Sequence, residues 1–191
     1  MAGKQIKLVA FAGSTRSSSL NKLLVKIAAE GAETAGAVVS YIDLRDYPLP
    51  LYDGDYEADN AYPENALALK ELFKAHDGFL IASPEYNSGY SAVLKNTLDW
   101  VSRPAVAGEP SLVAFSGKYA SLMAAAPGAL GGLRGLYQVR ELLMNMGVFV
   151  LPKMHALNFA MKAFDENGHL KDADTAKIIE QLGAQTVTAI N

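Results

Sequence analysis

The sequence predicts an α/β protein in which helices cover both faces of a parallel sheet. Short apolar runs bounded by turn residues recur along the chain, as expected of strands buried on both faces. Between successive runs lie segments with apolar residues at helical spacing, and such alternation calls for right-handed crossovers. The length of 191 residues suits one ordinary domain of this class with a substantial core, so residues 1–191 are expected to form a single unit.

Residues 6–12, Ile-Lys-Leu-Val-Ala-Phe-Ala, are the first predicted strand, ended by Gly13. Leu20, Leu23, Leu24, Ile27, Ala28 and Gly31 then make one stripe along a helix. Val38–Leu44 is the second strand, a helix carries Leu69, Leu72 and Phe73, and Asp77–Ala82 is the third strand. A helix over Ser91–Ser102 leads to a fourth strand at Tyr119–Ala125 and a helix displaying Leu136, Val139, Leu143 and Met146. Val148–Leu151 is the fifth strand, and a last helix covers Asp174–Ile190. Five strands with one helix between each favour a flavodoxin-like three-layer sandwich with strand order 2-1-3-4-5. In that order a ligand sits where the order reverses, so the loops after strands 1, 3 and 4 matter most.

Composition narrows the function classes. Half the residues are hydrophobic and 19% are charged, a globular balance. A net charge of -3 with scattered Lys and Arg supplies no basic stripe, so nucleic acid is not an expected partner. The chain has no cysteine, hence no disulfide framework, thiol nucleophile or thiolate metal site, and redox chemistry needs a cofactor. The amino terminus lacks the pattern of a secretory signal, and the longest uncharged stretch, Tyr119–Leu133, carries Pro127 and glycines and is shorter than a membrane span. A cytoplasmic protein without membrane insertion is expected. His76, His155 and His169 stand alone without ligand spacing, so no metal site is expected.

After the first strand the chain reads Gly13-Ser14-Thr15-Arg16-Ser17-Ser18-Ser19-Leu20-Asn21. Hydroxyls, a guanidinium and an amide gather where the unpaired N–H groups and dipole of a helix start attract anions. One reading is a phosphate cradle; the other is a solvated serine-rich cap, since Ser is a preferred N-cap. Neither G-x-G-x-x-G nor G-x-x-x-x-G-K-[ST] occurs, which points away from dinucleotide fingerprints and P-loops and toward a monophosphate. The G-x-S-x-G and H-E-x-x-H motifs are absent too.

After the third strand stands Ser-Pro-Glu-Tyr-Asn-Ser-Gly-Tyr-Ser-Ala-Val-Leu-Lys-Asn-Thr-Leu-Asp-Trp-Val-Ser-Arg, residues 83–103. With the Gly-Ser-Thr-Arg-Ser-Ser-Ser-Leu-Asn loop and the later Ala-Ala-Pro-Gly-Ala-Leu-Gly-Gly-Leu-Arg run, it resembles the NADPH-dependent FMN reductase family, which includes quinone, chromate and azo-dye reductases. The similarity extends to Ala163–Gly168 near the end. It implies FMN as cofactor and NADPH or NADH as co-substrate. It also implies that Ser14, Arg16, Ser19 and Asn21 hold the FMN phosphate, that Pro84, Glu85, Tyr86 and Asn87 form the turn against the isoalloxazine, and that Gly128 belongs to a third flavin loop. Glu85 then contributes mainly through its backbone rather than as a proton donor. Two departures stand out: residues 104–118 make a longer connection than usual, with consequences expected for the substrate side or subunit contacts, and Ala124–Ala126 stand where many relatives carry serine.

In the helix after residue 91, Leu94, Leu98 and Val101 form the core face, while Val93 and Trp100 point elsewhere. A large indole off the core stripe reads as an interface anchor or as a Trp covered by its own chain. The resemblance implies pairing of subunits, so a homodimer or a dimer of dimers is expected. The expected activity is ping-pong hydride transfer from NAD(P)H through FMN to small acceptors: quinones, free flavin, chromate or azo compounds. No side chain serves as a catalytic group. The alternative is a flavodoxin-type electron carrier that binds FMN without turning over NAD(P)H.

Overall fold

The computed structural model describes residues 4–191. Strands β1 (Lys7–Ala12), β2 (Val38–Asp43), β3 (Gly78–Ala82) and β4 (Tyr119–Ala125) pair in parallel in the order β2-β1-β3-β4. Beyond β4 lie two short segments, β5 (Phe149–Val150) and β6 (His155–Leu157), both parallel to it. The expected 2-1-3-4-5 order and α/β class are therefore present. The fifth strand is not the continuous Val148–Leu151 run expected. Residues 151–154 stand opposite only Ser121 and Leu122, and Pro152 within them has no N–H to give the ladder.

The helices are α1 (Leu20–Thr34), α2 (Gly54–Asp59), α3 (Glu64–Lys74), α4 (Ala92–Ser102), α5 (Leu133–Asn145) and α6 (Ala173–Ile190). Among the described residues, no helix is long and apolar enough to cross a membrane. The short α2 was not expected; it has no buried residue and begins where the Asp53 carboxylate accepts from the N–H groups of Asp55 and Tyr56.

Alternate residues of β1 feed two cores. Val9 and Phe11 join Leu69, Phe73, Leu94, Leu98, Leu136 and Val139 on the face covered by α3, α4 and α5. Leu8, Ala10 and Ala12 join Leu24, Ala28, Ile179 and Leu182 on the face covered by α1 and α6. The buried face of α1 centres on Leu24, Ala28 and Gly31, with Leu20, Leu23 and Ile27 only partly covered at its flank. Helices α1 and α6 meet backbone to backbone: a Cβ on Gly31 would run into the carbonyl of Glu180, and one on Gly183 into that of Ala28.

On the α4 side the interface reading of Trp100 is corrected, and of the two consequences expected of the 104–118 connection the substrate-side one does not hold. Trp100 is no interface anchor, being fully buried within its own chain. Its Nε1–H donates to Pro50 O at 2.7 Å, and Tyr52, Tyr56 and Tyr62 meet its ring edge-on. The cover comes from the segment before α3, while Val93 is partly buried against the core. The long 104–118 connection joins the end of α4 to the start of β4, so it lies at the amino-terminal edge of the sheet, opposite the loops that follow β1, β3 and β4. There it is fixed by buried Ala114 and Phe115 and by a 2.7 Å ion pair between Glu109 and buried Lys70. It does not shape the cavity described next.

Candidate functional site

Three loops converge at the carboxyl edge of the sheet. The first leaves β1 at Gly13, whose carbonyl accepts from Ser91 Oγ at 2.6 Å. Ser91 also caps α4 by accepting from the Leu94 N–H. A Cβ on Gly13 would lie 2.9 Å from that of Leu94, so glycine permits this close approach. Ser14 is buried, and its Oγ accepts from the Arg16 N–H at 3.3 Å. Ser19 is the N-cap of α1 but makes no side-chain capping bond, which leaves its hydroxyl free at a helix start. Arg16 is exposed, and among the described residues its guanidinium has only a 3.5 Å contact, to Ser18 Oγ.

Asn21 has a different occupation. Its amide nitrogen donates to Ala125 O at 3.0 Å and its oxygen accepts from the Ala125 N–H at 2.9 Å. The side chain thus ties the start of α1 to the end of β4.

The second loop is a tight turn. Tyr86 and Gly89 exchange N–H···O bonds of 2.9 and 3.0 Å, and Asn87 and Ser88 between them have φ of 50° and 68°. Two consecutive left-handed residues make a type I′ hairpin turn, a conformation strained for Ser and better tolerated by Asn. Glu85 secures this turn to α5. One carboxylate oxygen accepts from Arg134 Nε at 2.9 Å and Nη2 at 2.5 Å, the other from the Gly135 N–H at 3.0 Å. The N-cap of α5, Gly132, has no side chain to cap with, so Glu85 serves that helix start from across the cavity. Burial pushes the Glu85 carboxyl upward, but the Gly135 N–H and Arg134 more than offset it and hold it below the usual glutamate range. It is a carboxylate at neutral pH and holds no proton to donate. Gln138 Nε2 adds a 2.7 Å bond to Ser88 O.

The third loop follows β4. The demanding positions are Gly131 and Gly132, at φ 62° and 94°; a Cβ would lie 2.6 Å from Ala156 O on the first and 2.7 Å from Ala124 Cβ on the second. Gly128 stands in open space on the wall.

Two adjoining cavities result. One of about 330 Å³ is lined by Ser14, Arg16, Ser19 and Asn21 at one end and by Pro84, Glu85, Tyr86 and Ala125–Pro127 at the other. The second, about 430 Å³, includes Asn87, Gly128 and Arg134, and shares Glu85, Ala126 and Pro127 with the first. All nine site residues expected from the sequence line one or both. The donor set at the first end, a free N-cap hydroxyl, a helix start and a guanidinium, suits a phosphate dianion. The opposite end, with Pro84, Ala126, Pro127 and a half-exposed Tyr86, suits a planar ring. The residues present fit a flavin mononucleotide.

The model of the NADPH-dependent FMN reductase family matches residues 6–162. The chain belongs to this family. As a member it is an oxidoreductase, with FMN as its cofactor and NAD(P)H as its co-substrate. It is 34% identical over 177 residues to an NAD(P)H-dependent FMN reductase of Pseudomonas aeruginosa, covering 92% of this chain and 90% of that protein. It is 33% identical over 184 residues to a probable NADPH:quinone oxidoreductase of Oryza sativa subsp. japonica, covering 94% and 86%. Among solved structures it resembles a flavoenzyme NAD(P)H:(acceptor) oxidoreductase of Paracoccus denitrificans, with a TM-score of 0.79, 28% identity and 97% of each chain covered.

Within this FMN reductase, several site residues escape a reading of sequence alone. Arg45 places Nε at 2.9 Å and Nη2 at 2.5 Å from the Thr15 carbonyl, which orients the loop after β1. Asp43 orders Arg45 in turn, accepting from its N–H at 3.0 Å and from Lys22 Nζ at 2.5 Å. Partial burial raises the Asp43 carboxyl, yet Lys22 and the Arg45 N–H bring it below its ordinary value. Met161 lines the first cavity from beyond β6. An Asp two residues before Arg at a strand end hints at a local cap, but nothing in the sequence joins Arg45 to Thr15 or Met161 to this edge.

Proposed function

We propose that this FMN reductase draws hydride from NAD(P)H and delivers it to small quinone-type acceptors, both using one cavity in turn by a ping-pong cycle. The convergence of the three loops on a cavity with anion donors at one end and apolar walls at the other is the observation that carries this reading. Bound there, FMN supplies the hydride chemistry. The chain's part is to bind and orient. Ser14, Ser19, Arg16 and the first N–H groups of α1 hold the phosphate, with Arg45 fixing their loop. Pro84–Asn87 present backbone donors and acceptors to the ring edge, and Tyr86 flanks it. Glu85 keeps that turn locked to α5 while remaining ionised. Gly128 leaves the third loop open to the ring.

The quinone oxidoreductase relative supports quinones as the first acceptors to try; free flavin, chromate and azo compounds complete the set. A cytoplasmic setting and a homodimer or dimer of dimers belong to the same proposal. With Trp100 buried, the exposed apolar side chains Tyr137 and Met144 of α5 are what supports pairing, and sedimentation velocity tests it.

The deciding experiment mixes the FMN-loaded protein anaerobically with NADPH and, separately, NADH, and follows the flavin band near roughly 450 nm. Bleaching, followed by recovery when menadione is added, is expected, with parallel double-reciprocal plots in steady state. Bound flavin that neither nucleotide bleaches makes the protein an electron carrier.

A further inference from the structure

The second cavity, whose Asn87 and Gly128 belong to the flavin loops, also presents a positive charge to which no flavin group has been assigned. Among the described residues, Arg134 is the only formally positive side chain on its wall. The arginine is held from one side only: Nε and Nη2 both meet the same oxygen of Glu85, and Nη1 donates to nothing among the described residues. The pair is also lopsided, since the Glu85 side chain is 8% exposed and that of Arg134 57%. The carboxylate turns its other oxygen to the Gly135 N–H, so the charge offered to the cavity is the cation's. Beside it, the N–H groups of Ala129 and Leu130 donate to nothing among the described residues. The remaining wall includes Ala126, Pro127 and Leu130.

We propose that this cavity is an anion subsite for the electron acceptor, in which Arg134 selects planar aromatic compounds that carry an ionised substituent, such as quinone sulfonates, quinone carboxylates and ionised hydroxyquinones. A volume of about 430 Å³ lies in the small-ligand range and accommodates one or two rings. The apolar wall takes the ring, and the free edge of the guanidinium takes the charged group. Because Glu85 already fixes the guanidinium plane, little side-chain freedom is lost on binding. The subsite adjoins the first cavity through Glu85, Ala126 and Pro127, and its role as an acceptor site rests on the flavin reading of that neighbour. An anion could also reach Arg134 as the diphosphate of the nicotinamide nucleotide, and the test separates the two sources.

The test titrates the protein, with FMN added, by calorimetry with naphthalene-2-sulfonate and with uncharged 2-naphthol, both inert to hydride. Wild type, Arg134→Gln and Arg134→Lys are compared. Sulfonate affinity falls about fivefold to tenfold in the glutamine variant, and most of it returns in the lysine variant. Any loosening of the Glu85 turn acts on both ligands alike, so the naphthol affinity falls less than the sulfonate affinity, as naphthol has no charged group for Arg134. In steady state with NADPH, the ratio of kcat/KM for 1,4-naphthoquinone-2-sulfonate to that for menadione drops in the same proportion. Equal weakening of both ligands, no weakening, or a rise in the KM for NADPH in place of the sulfonate effect overturns the proposal. If the wild type retains no FMN, the flavin reading fails, while the titration, which needs no turnover, still decides the anion subsite.

Discussion

The two ends of α4 show the chain using polar atoms in opposite ways. At the carboxyl end, Trp100 donates to Pro50, Tyr62 donates to Trp100 O, and Arg103 pairs with Glu57. Nearby, Lys70 pairs with Glu109 and also donates to the Arg103 carbonyl. The Trp100 indole N–H, the Tyr62 hydroxyl, Arg103 Nε and Lys70 Nζ each have an acceptor in the same chain. At the amino end, beyond the Ser91–Gly13 bond, the Ser19 hydroxyl caps nothing, Arg16 has only a long contact, and Asn87 and Ser88 hold a strained turn. One end is complete without a ligand and the other is arranged for one. Stability and binding should therefore respond to different substitutions.

The largest effect is expected at the closed end. Trp100→Ala removes a fully buried indole and should cost about 3–5 kcal/mol of folding stability, read by urea denaturation of the apoprotein. FMN affinity of the fraction that stays folded should shift by less than about twofold, since additivity holds for distant sites. A parallel loss of flavin would show that the two ends are coupled and would break the contrast.

Glu109→Gln comes next, because it leaves Lys70 buried without its counter-charge, at about 3 kcal/mol. The same pair gives a pH signature. Lys70 holds the Glu109 carboxyl below its ordinary value, so the unfolded chain takes up the proton first as pH falls. The stabilisation is then complete above the ordinary glutamate value, about pH 4.3, and is lost as pH drops through the lower folded value. Denaturation midpoints of wild type measured down to pH 3 should fall more steeply than those of the glutamine variant. Similar slopes would place the acid sensitivity elsewhere.

These closed-end interactions were the least legible part of the sequence. The alternation of apolar runs and helical stripes gave the sheet order, because a strand buried on both faces and a one-stripe helix each leave a local pattern. Gly-Ser-Thr-Arg-Ser and Ser-Pro-Glu-Tyr-Asn were legible as well, since each loop carries its chemistry within a few residues. Lys70 with Glu109, Trp100 with Pro50, and Arg45 with Thr15 join positions far apart in the chain, and no local pattern marks them. Trp100 misled for a definite reason. Helical spacing correctly put it off the core stripe, but spacing cannot show that residues 50–62 return to cover it. The broken fifth strand was hidden too, although Pro152 marked the place.

At the open end, Arg16→Ala should raise the dissociation constant for FMN about tenfold, as the loss of one charge-assisted phosphate bond would. Riboflavin, lacking the phosphate, should bind both proteins alike in fluorescence titrations, and the apoprotein's melting temperature should not move. A purified variant that keeps full FMN would remove Arg16 from the phosphate site. The smallest effect is expected for Ser88→Gly, which relieves a left-handed serine and should add about 0.5–1 kcal/mol. If thermal melting shows destabilisation instead, the serine side chain must be holding the turn.

The split between β5 and β6 bears on how this protein behaves when crowded or partly unfolded. A sheet ends in two rows of unpaired backbone groups, each able to recruit a foreign strand. On the β5–β6 side that row is cut into pieces of two and three residues with Pro152 between them, too short and too kinked to template a growing fibril. The β2 side keeps six consecutive residues, with Val38 and Tyr41 exposed. Self-association of misfolded chains should accordingly begin at β2, where a single lysine in place of Val38 would act as a gatekeeper.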